Sequence, residues 1–358
     1  MKIPIARPII DEEEKKAVLK VLDSGIIAQG PRVKAFEDVF ADYIGVNHAV
    51  ATNNGTSALH TALLACGLGK GDEVITTPFT FIATTNSILY CGARPVFADI
   101  DRKTFNINPE GIKEKITRRT KAVLIVHLYG QACDMKAITE ICEDYNLRLI
   151  EDACQAHGAE YKGIKTGNFG DAACFSFYPT KNMTTGEGGM ITTSNGAIAE
   201  KARVVREHGS RVRYQHEVLG YNYRMTDIAA AIGIEQLKKL EGFNKKRIEN
   251  AAKLTGGLKD IEGVETPYIA PDVRHVFHQY TLRVKNREKV VEVMEKAGIG
   301  YGIYYPVPVH KQKLYKDYKD EKLPEAEEAS RKVLSLPVHP GIYEKEIDYI
   351  ITTIKEVL

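Results

Sequence analysis

Lys181 stands in the stretch Phe175-Ser176-Phe177-Tyr178-Pro179-Thr180-Lys181-Asn182-Met183-Thr184-Thr185-Gly186-Glu187-Gly188-Gly189-Met190, just past an aromatic strand and inside a loop dense with Thr and Gly. An amine held in an apolar pocket loses proton affinity and becomes a nucleophile for a carbonyl carbon. Taken alone, a lysine is far more often a solvated surface group. The second chemistry-bearing segment is Leu147-Arg148-Leu149-Ile150-Glu151-Asp152, an apolar strand ending in two carboxylates. Successive strand residues point to opposite faces, so at most one of the pair meets a ligand, and Asp152 is the candidate. A solvated strand end is the plainer alternative. Third comes Asn54-Gly55-Thr56-Ser57-Ala58-Leu59-His60, a polar, glycine-led turn opening an apolar helix. Its free N–H groups with the Thr56 and Ser57 hydroxyls would make a phosphate site. Simple capping of the helix by Thr56 or Ser57 is the commoner explanation of such a pattern. Phosphate site, strand-end aspartate and looped lysine, in that order, are the parts needed to hold pyridoxal phosphate.

The elements that must position these groups alternate from about residue 49 onward. Strands are predicted over Glu73–Thr77, Pro95–Ile100, Ala122–Leu128, Leu147–Asp152, Ala172–Phe177 and Met190–Thr193. Amphipathic helices are predicted over Thr56–Cys66, Thr80–Cys91, Met135–Tyr145 and Ala197–His208. This alternation implies an α/β layer with a mostly parallel sheet covered on both faces. Two helices precede it, one opened by a capping box at Asp11–Glu14 and one with Pro31 at its first position. A helix is expected around Thr226–Leu240, after which the pattern changes. His278–Val284, a helix near Val290–Lys296, Gly302–Tyr305, a helix near Glu325–Leu334 and a last helix over 344–358 suggest a smaller α+β domain. The expected division is 1–240, a large domain with the N-terminal helices, and 241–358, a small C-terminal domain.

The composition of the 358 residues narrows the classes. With 44% hydrophobic and 27% charged residues the chain is ordinary globular material. Its 49 Lys plus Arg against 47 Asp plus Glu leave +2, which gives no reason to expect nucleic acid as partner. No apolar run is long enough to cross a bilayer. Six cysteines without a C-x-x-C pair fit neither a disulfide framework nor a zinc site, and the expected location is a reducing cytoplasm. The ten histidines show no metal-binding spacing, and no metal is expected. Gly67-Leu68-Gly69-Lys70-Gly71 follows a helix and precedes a strand, the reverse of a dinucleotide fingerprint, and is a turn.

Nearly end to end, the chain resembles the DegT/DnrJ/EryC1/StrS family of sugar aminotransferases. The matching segments include Asn54–Leu59, Gly71-Asp72-Glu73-Val74-Ile75, Phe79-Thr80-Phe81-Ile82-Ala83-Thr84, Glu151-Asp152-Ala153-Cys154-Gln155-Ala156-His157-Gly158, Phe175 through Lys181, Gly186-Glu187-Gly188-Gly189 and Gly220-Tyr221-Asn222-Tyr223-Arg224-Met225. The resemblance implies the aspartate-aminotransferase fold, fold type I of the pyridoxal-phosphate enzymes, with a mostly parallel seven-stranded sheet. It implies that Lys181 is the Schiff-base lysine and proton shuttle, and that Asp152 is the partner of the pyridine nitrogen. Gln155 then meets the ring's 3′-oxygen, Thr56, Ser57 and Ser176 the phosphate, and Phe81, rather than Phe79, stacks on the ring. Asn222 and Arg224 resemble the segment that reaches the neighbouring subunit's phosphate in a homodimer with shared active sites. Tyr305 and His310 occupy positions that face substrate in the family, His310 with a surface role as its alternative. Arg203, Arg206, Arg211 and Arg213 could meet a nucleotide diphosphate, although solvated arginines are commoner. His157 is expected to pack within its motif, and the Lys181 pKa to be kept low in an apolar, cationic pocket. The implied activity is ping-pong transfer of an amino group from L-glutamate to a nucleotide-linked keto-sugar, a 4-keto-6-deoxyhexose, for amino-sugar and surface-glycan biosynthesis. The Gly186-Glu187-Gly188-Gly189 form resembles C4-aminating members. A C3 or keto-cyclitol aminotransferase and a non-catalytic regulatory protein are the alternatives.

Overall fold

The computed structural model describes residues 2–358. Seven strands form the main sheet: β1 (His48–Thr52), β2 (Glu73–Thr76), β3 (Arg94–Phe97), β4 (Thr120–Val126), β5 (Arg148–Asp152), β6 (Ala172–Ser176) and β7 (Gly189–Thr193). Their spatial order is β1-β7-β6-β5-β4-β2-β3. All neighbours are parallel except β7, which runs antiparallel to both β1 and β6. The central strands are buried along almost their whole length, as a sheet covered on both faces requires.

The helices are α1 (Glu12–Ser24), α2 (Pro31–Ile44), α3 (Gly55–Ala65), α4 (Ile82–Tyr90), α5 (Pro109–Lys115), α6 (Met135–Asp144), α7 (Gly196–Arg206), α8 (Asp227–Leu258), α9 (Arg287–Lys296), α10 (Pro324–Lys332) and α11 (Glu344–Lys355). The capping box at Asp11 and Glu14 opens α1, and Pro31 opens α2. One side of the sheet is packed by α3 and α7, whose apolar residues share a core with Val50, Ile150, Cys174 and Ile191. Another cluster sets Phe36 and Phe40 of α2 against Phe175 and Phe177. Among the described residues no helix is long and apolar enough to cross a membrane.

The helix expected over 226–240 continues unbroken to Leu258, so residue 240 lies inside α8. Polar residues hid the continuation: Asn244, Arg247 and Asn250 fall on its buried face and break the apolar period. Each side chain is buried because it donates to a carbonyl, those of His157, Phe277 and His339 respectively. Beyond α8 a separate core gathers Leu254, Leu258, Tyr280, Leu282, Met294, Leu336 and Ile350, and Ile3 from the opposite end of the chain joins it. Here a small antiparallel sheet orders β8 (Val264–Glu265), β9 (Tyr280–Val284) and β10 (Val333–Leu336). The helix expected to reach Leu334 stops at Lys332, because Leu334 and the β-branched Val333 are drawn into pairing with β9. Two short elements, β1 and α5, were not separated in the sequence.

Candidate active site

The carboxyl ends of β1, β2, β5 and β6 open into one cleft of about 1000 Å³. Asn54, just past β1, caps α3: its Oδ1 accepts the Ser57 N–H at 2.8 Å and the Ser57 hydroxyl at 3.0 Å. Capping therefore falls to Asn54, and Thr56 and Ser57 lie inside the first turn, where the α3 N-terminus faces the cleft. Gly55 makes this turn fit. A Cβ placed there would lie 2.7 Å from Ser176 Cβ and 3.2 Å from Cys154 Sγ, so only glycine lets α3 approach β6 this closely. Thr56, Ser57 and Ser176 thus gather at one end of the cleft.

The pleat of β5 separates its two carboxylates. Asp152 lines the cleft and is 5% exposed, its Oδ1 accepting the Cys154 N–H at 3.1 Å and its Oδ2 the Thr84 hydroxyl at 2.7 Å. Glu151 points to the other face, where it accepts the N–H groups of Gly167, Phe169 and Gly170 and pairs with His127 Nε2 at 2.9 Å. Burial opposes the Glu151 charge, but His127 and the loop amides outweigh it and hold this carboxyl below the usual range.

Lys181 lies on the cleft wall, its backbone N–H donating to Tyr178 O at 2.9 Å. Desolvation lowers its pKa, while Cys154 and Asp152 act in the opposite direction without reversing it. The expected cationic pocket is not what this chain supplies: Asp152 and Glu187 are the charged neighbours lining the cleft, and burial does the lowering. Gln155 has a fixed orientation, since Oε1 accepts the Tyr129 N–H at 2.9 Å and Nε2 lies 3.1 Å from Tyr305 Oη. Phe81 caps α4 and presents a 57% exposed ring to the cleft, whereas Phe79 is wholly buried in the core.

The described geometry has counterparts. The DegT/DnrJ/EryC1/StrS aminotransferase family profile matches residues 8–355. The chain belongs to this family. It is 42% identical to the GDP-perosamine synthase of Caulobacter vibrioides, with 100% of this chain and 98% of that one aligned. It is 40% identical to the UDP-N-acetyl-3-dehydro-alpha-D-glucosamine 3-aminotransferase of Acidithiobacillus ferrooxidans, over 95% of this chain and 92% of that one. The crystal structure of NtdA from Bacillus subtilis with bound cofactor PMP superposes with a TM-score of 0.92 at 34% identity, covering 99% of this chain and 85% of that one.

This DegT/DnrJ/EryC1/StrS chain is thus a pyridoxal-phosphate-dependent aminotransferase with the family's α/β fold. Its residues fit the cofactor. An open helix N-terminus with three hydroxyls suits a phosphate, a buried carboxylate suits a protonated ring nitrogen, and an amine of lowered pKa suits an aldehyde.

Of the sequence-predicted residues, Thr56, Ser57, Phe81, Asp152, Gln155, Ser176, Lys181 and Tyr305 all line this cleft. His310 does not. It is wholly buried against Phe97 with Nε2 3.2 Å from Glu327 Oε1, neither facing the cleft nor on the surface, because α10 and the segment after Pro308 fold over it. Asn222 and Arg224 also lie outside the cleft of their own chain; Arg224 Nε donates to Asn222 Oδ1 at 3.2 Å on the surface. The arginine cluster is dispersed. Arg206 is buried in a 2.6 Å pair with Glu37 and donates to Ala51 O, Arg211 pairs with Glu217 at 3.3 Å, and Arg213 stacks on Tyr214. His157 packs between Phe175 and Phe177, and burial with the nearby Lys181 charge pushes it down to about 3.

The sequence reading missed Thr84, His278 and Gln279 in the cleft. Thr84 carried a usable signal, a hydroxyl one helical turn beyond Thr80 at a strand-to-helix junction. His278 and Gln279 carried none, since they enter from the C-terminal part of the chain.

Proposed function

We propose that this aminotransferase moves an amino group from L-glutamate to a nucleotide-linked 4-keto-6-deoxyhexose, in the cytoplasm, giving an amino sugar for a surface glycan. The observation that carries the reading is the convergence of Lys181, Asp152 and the three hydroxyls on one cleft whose wall also carries the aromatic rings of Phe81, Tyr178, Tyr304 and Tyr305. Six free cysteines accord with a reducing compartment.

When bound, pyridoxal phosphate supplies an aldehyde and a ring that takes up the electron pair left at an amino acid's Cα. In this reading Lys181 Nζ would hold the cofactor between turnovers and, once freed, would be the base that takes the Cα proton of the amino donor. Its lowered pKa leaves more of the amine neutral and able to accept that proton. Asp152 would hold the proton on the ring nitrogen, Gln155 Nε2 would donate to the ring oxygen, and Phe81 would lie against the ring. Thr56, Ser57 and Ser176 bind the phosphate. Asn222 and Arg224 complete the phosphate site of a second copy in a homodimer, which supplies the cationic charge that one chain's cleft lacks. The chain works as a larger cofactor-binding part and a smaller C-terminal part that contributes Tyr304 and Tyr305 to the substrate end.

The preference for C4 rests on Gly186-Glu187-Gly188-Gly189. Amination at C3 is the second reading, favoured by the 40% identity to an enzyme named as a 3-aminotransferase. Incubation with glutamate and a panel of UDP-, dTDP- and GDP-linked keto-sugars together with a keto-cyclitol, with the aminated carbon located by NMR, separates the two. Nitrogen at C4 is expected; nitrogen at C3, or turnover only with a keto-cyclitol, overturns the proposal.

A further inference from the structure

We infer that Thr84, backed by Thr80, is a positioning residue that holds the Asp152 carboxylate aimed at the cleft. The inference rests on the reading of Asp152 above. Thr84 Oγ1 lies 2.7 Å from Asp152 Oδ2 and 2.9 Å from Thr80 Oγ1. An ionised carboxylate only accepts, so the single proton of Thr84 goes to Asp152. The Thr84 oxygen is then an acceptor toward Thr80, whose proton goes to Thr84. The relay therefore runs one way, Thr80 to Thr84 to Asp152, and every proton in it points toward the carboxylate. Thr80, Thr84 and Asp152 are 3%, 1% and 5% exposed, so solvent supplies little of the compensation that a buried charge needs.

Two further observations point the same way. Thr80, Thr84 and Thr85 crowd the start of α4, although threonine is a poor helix former. Such a local conflict with propensity marks a place where function overrides folding preference, and the carboxylate is what the Thr80 and Thr84 hydroxyls serve; the Thr85 hydroxyl is buried without a partner. Thr84 also donates its backbone N–H to Phe81 O at 3.1 Å. One residue thereby ties the ring-facing Phe81 and the ring-nitrogen carboxylate into a single rigid turn, so the face and the edge of the cofactor site hold one registration.

The test compares Thr84→Val, Thr84→Ser, Thr80→Val, Asp152→Asn and the Asp152→Asn/Thr84→Val double variant. Apoprotein of each is titrated with pyridoxal phosphate, the pH dependence of the bound cofactor's visible absorbance is recorded, and apoprotein melting is measured alongside. Thr84→Val keeps the shape but loses the donor, and is expected to weaken pyridoxal phosphate binding by about 10- to 100-fold, the scale of a hydrogen bond to a charged group. It should also shift the absorbance titration while the apoprotein melts as the parent does. Thr84→Ser should restore most of the affinity, and Thr80→Val should show a smaller loss. In the Asp152→Asn background Thr84→Val should add nothing. Parental affinity and titration for Thr84→Val, no rescue by Thr84→Ser, or a full additional loss in the double variant would each overturn the relay. Should Thr84→Val not fold, Thr80→Val decides, and parental affinity with a parental titration there overturns it. If Asp152→Asn itself binds and turns over like the parent, the assignment of Asp152 fails first and takes the relay with it. If only the threonine variants are silent, the relay alone fails.

Discussion

Gly55→Ala sets two effects of opposite sign against each other. An alanine in a helix is favoured over glycine by about 1 kcal/mol at most, so on propensity alone the substitution stabilises α3. The new methyl, however, would sit 2.7 Å from Ser176 Cβ and 3.2 Å from both Ser176 Oγ and Cys154 Sγ. Carbon atoms pack at about 3.5–4.0 Å, so α3 and β6 must separate by roughly 1 Å. The nearest atom is a Cβ fixed by a central strand and cannot swing aside. Overpacking of this kind costs about 1–3 kcal/mol, which leaves the apoprotein destabilised by roughly 0–2 kcal/mol. The effect on the cofactor is larger. A 1 Å displacement lengthens a hydrogen bond of about 2.9 Å past its useful range. Losing one such bond to a charged phosphate costs about 1.5–3 kcal/mol, or roughly 10- to 100-fold in affinity. Titration of apoprotein with pyridoxal phosphate, beside its melting curve without cofactor, measures both numbers. An alanine variant that melts higher than the parent and binds pyridoxal phosphate as tightly would refute the account of why glycine stands there.

Lys181→Ala should abolish the visible absorbance of lysine-bound cofactor and all transamination while the protein stays folded, and measurable turnover would contradict the role given to Lys181. Mixing subunits carrying Asn222→Ala/Arg224→Ala with subunits carrying Lys181→Ala should recover part of the activity if sites are shared, because some mixed dimers contain one intact site; no recovery would count against cross-subunit phosphate binding. Acid should destabilise the apoprotein well above the carboxylate range. Burial pushes His157 and His275 down to about 3 and His339 to about 4, so below the ordinary histidine value the unfolded chain binds protons that the folded one refuses. This stability is full at pH above about 6.5 and falls as pH drops, by about 1.4 kcal/mol per unit for each histidine. His157→Phe should remove about one proton's worth of slope from urea midpoints between pH 6.5 and 5, and an unaltered slope would show that His157 titrates normally.

The order of the site's parts was legible because each part is local. Lys181, Asp152 and the Asn54–Ser57 turn sit at ends of elements whose alternation is readable from period alone, and the strand-end rule places them on one edge of the sheet. Capping by Thr56 or Ser57, weighed as the plainer alternative, falls instead to Asn54, since all three are competent caps and only the backbone decides among them. The length of α8 was not legible because Asn244, Arg247 and Asn250 are buried through carbonyl partners distant in the chain. His310 failed for a similar reason: its surroundings, Phe97 and Glu327, come from distant segments, and nothing near it says that both would close over the imidazole. Thr84 was readable in principle, as a hydroxyl one turn after another at a strand end.

Neighbouring acids in β5 have divergent tasks, and this makes the central strand intolerant of slippage. A displacement of one residue toward the carboxyl end against β4 and β6 would offer the cleft Glu151, one methylene longer, and would set apolar Ile150 before the amides of residues 167–170. Loop order and cofactor alignment are therefore coupled through a single pleat. Amide hydrogen exchange at Gly167, Phe169 and Gly170, none of which lines the cleft, becomes a remote gauge of whether the cleft edge of the sheet is correctly seated.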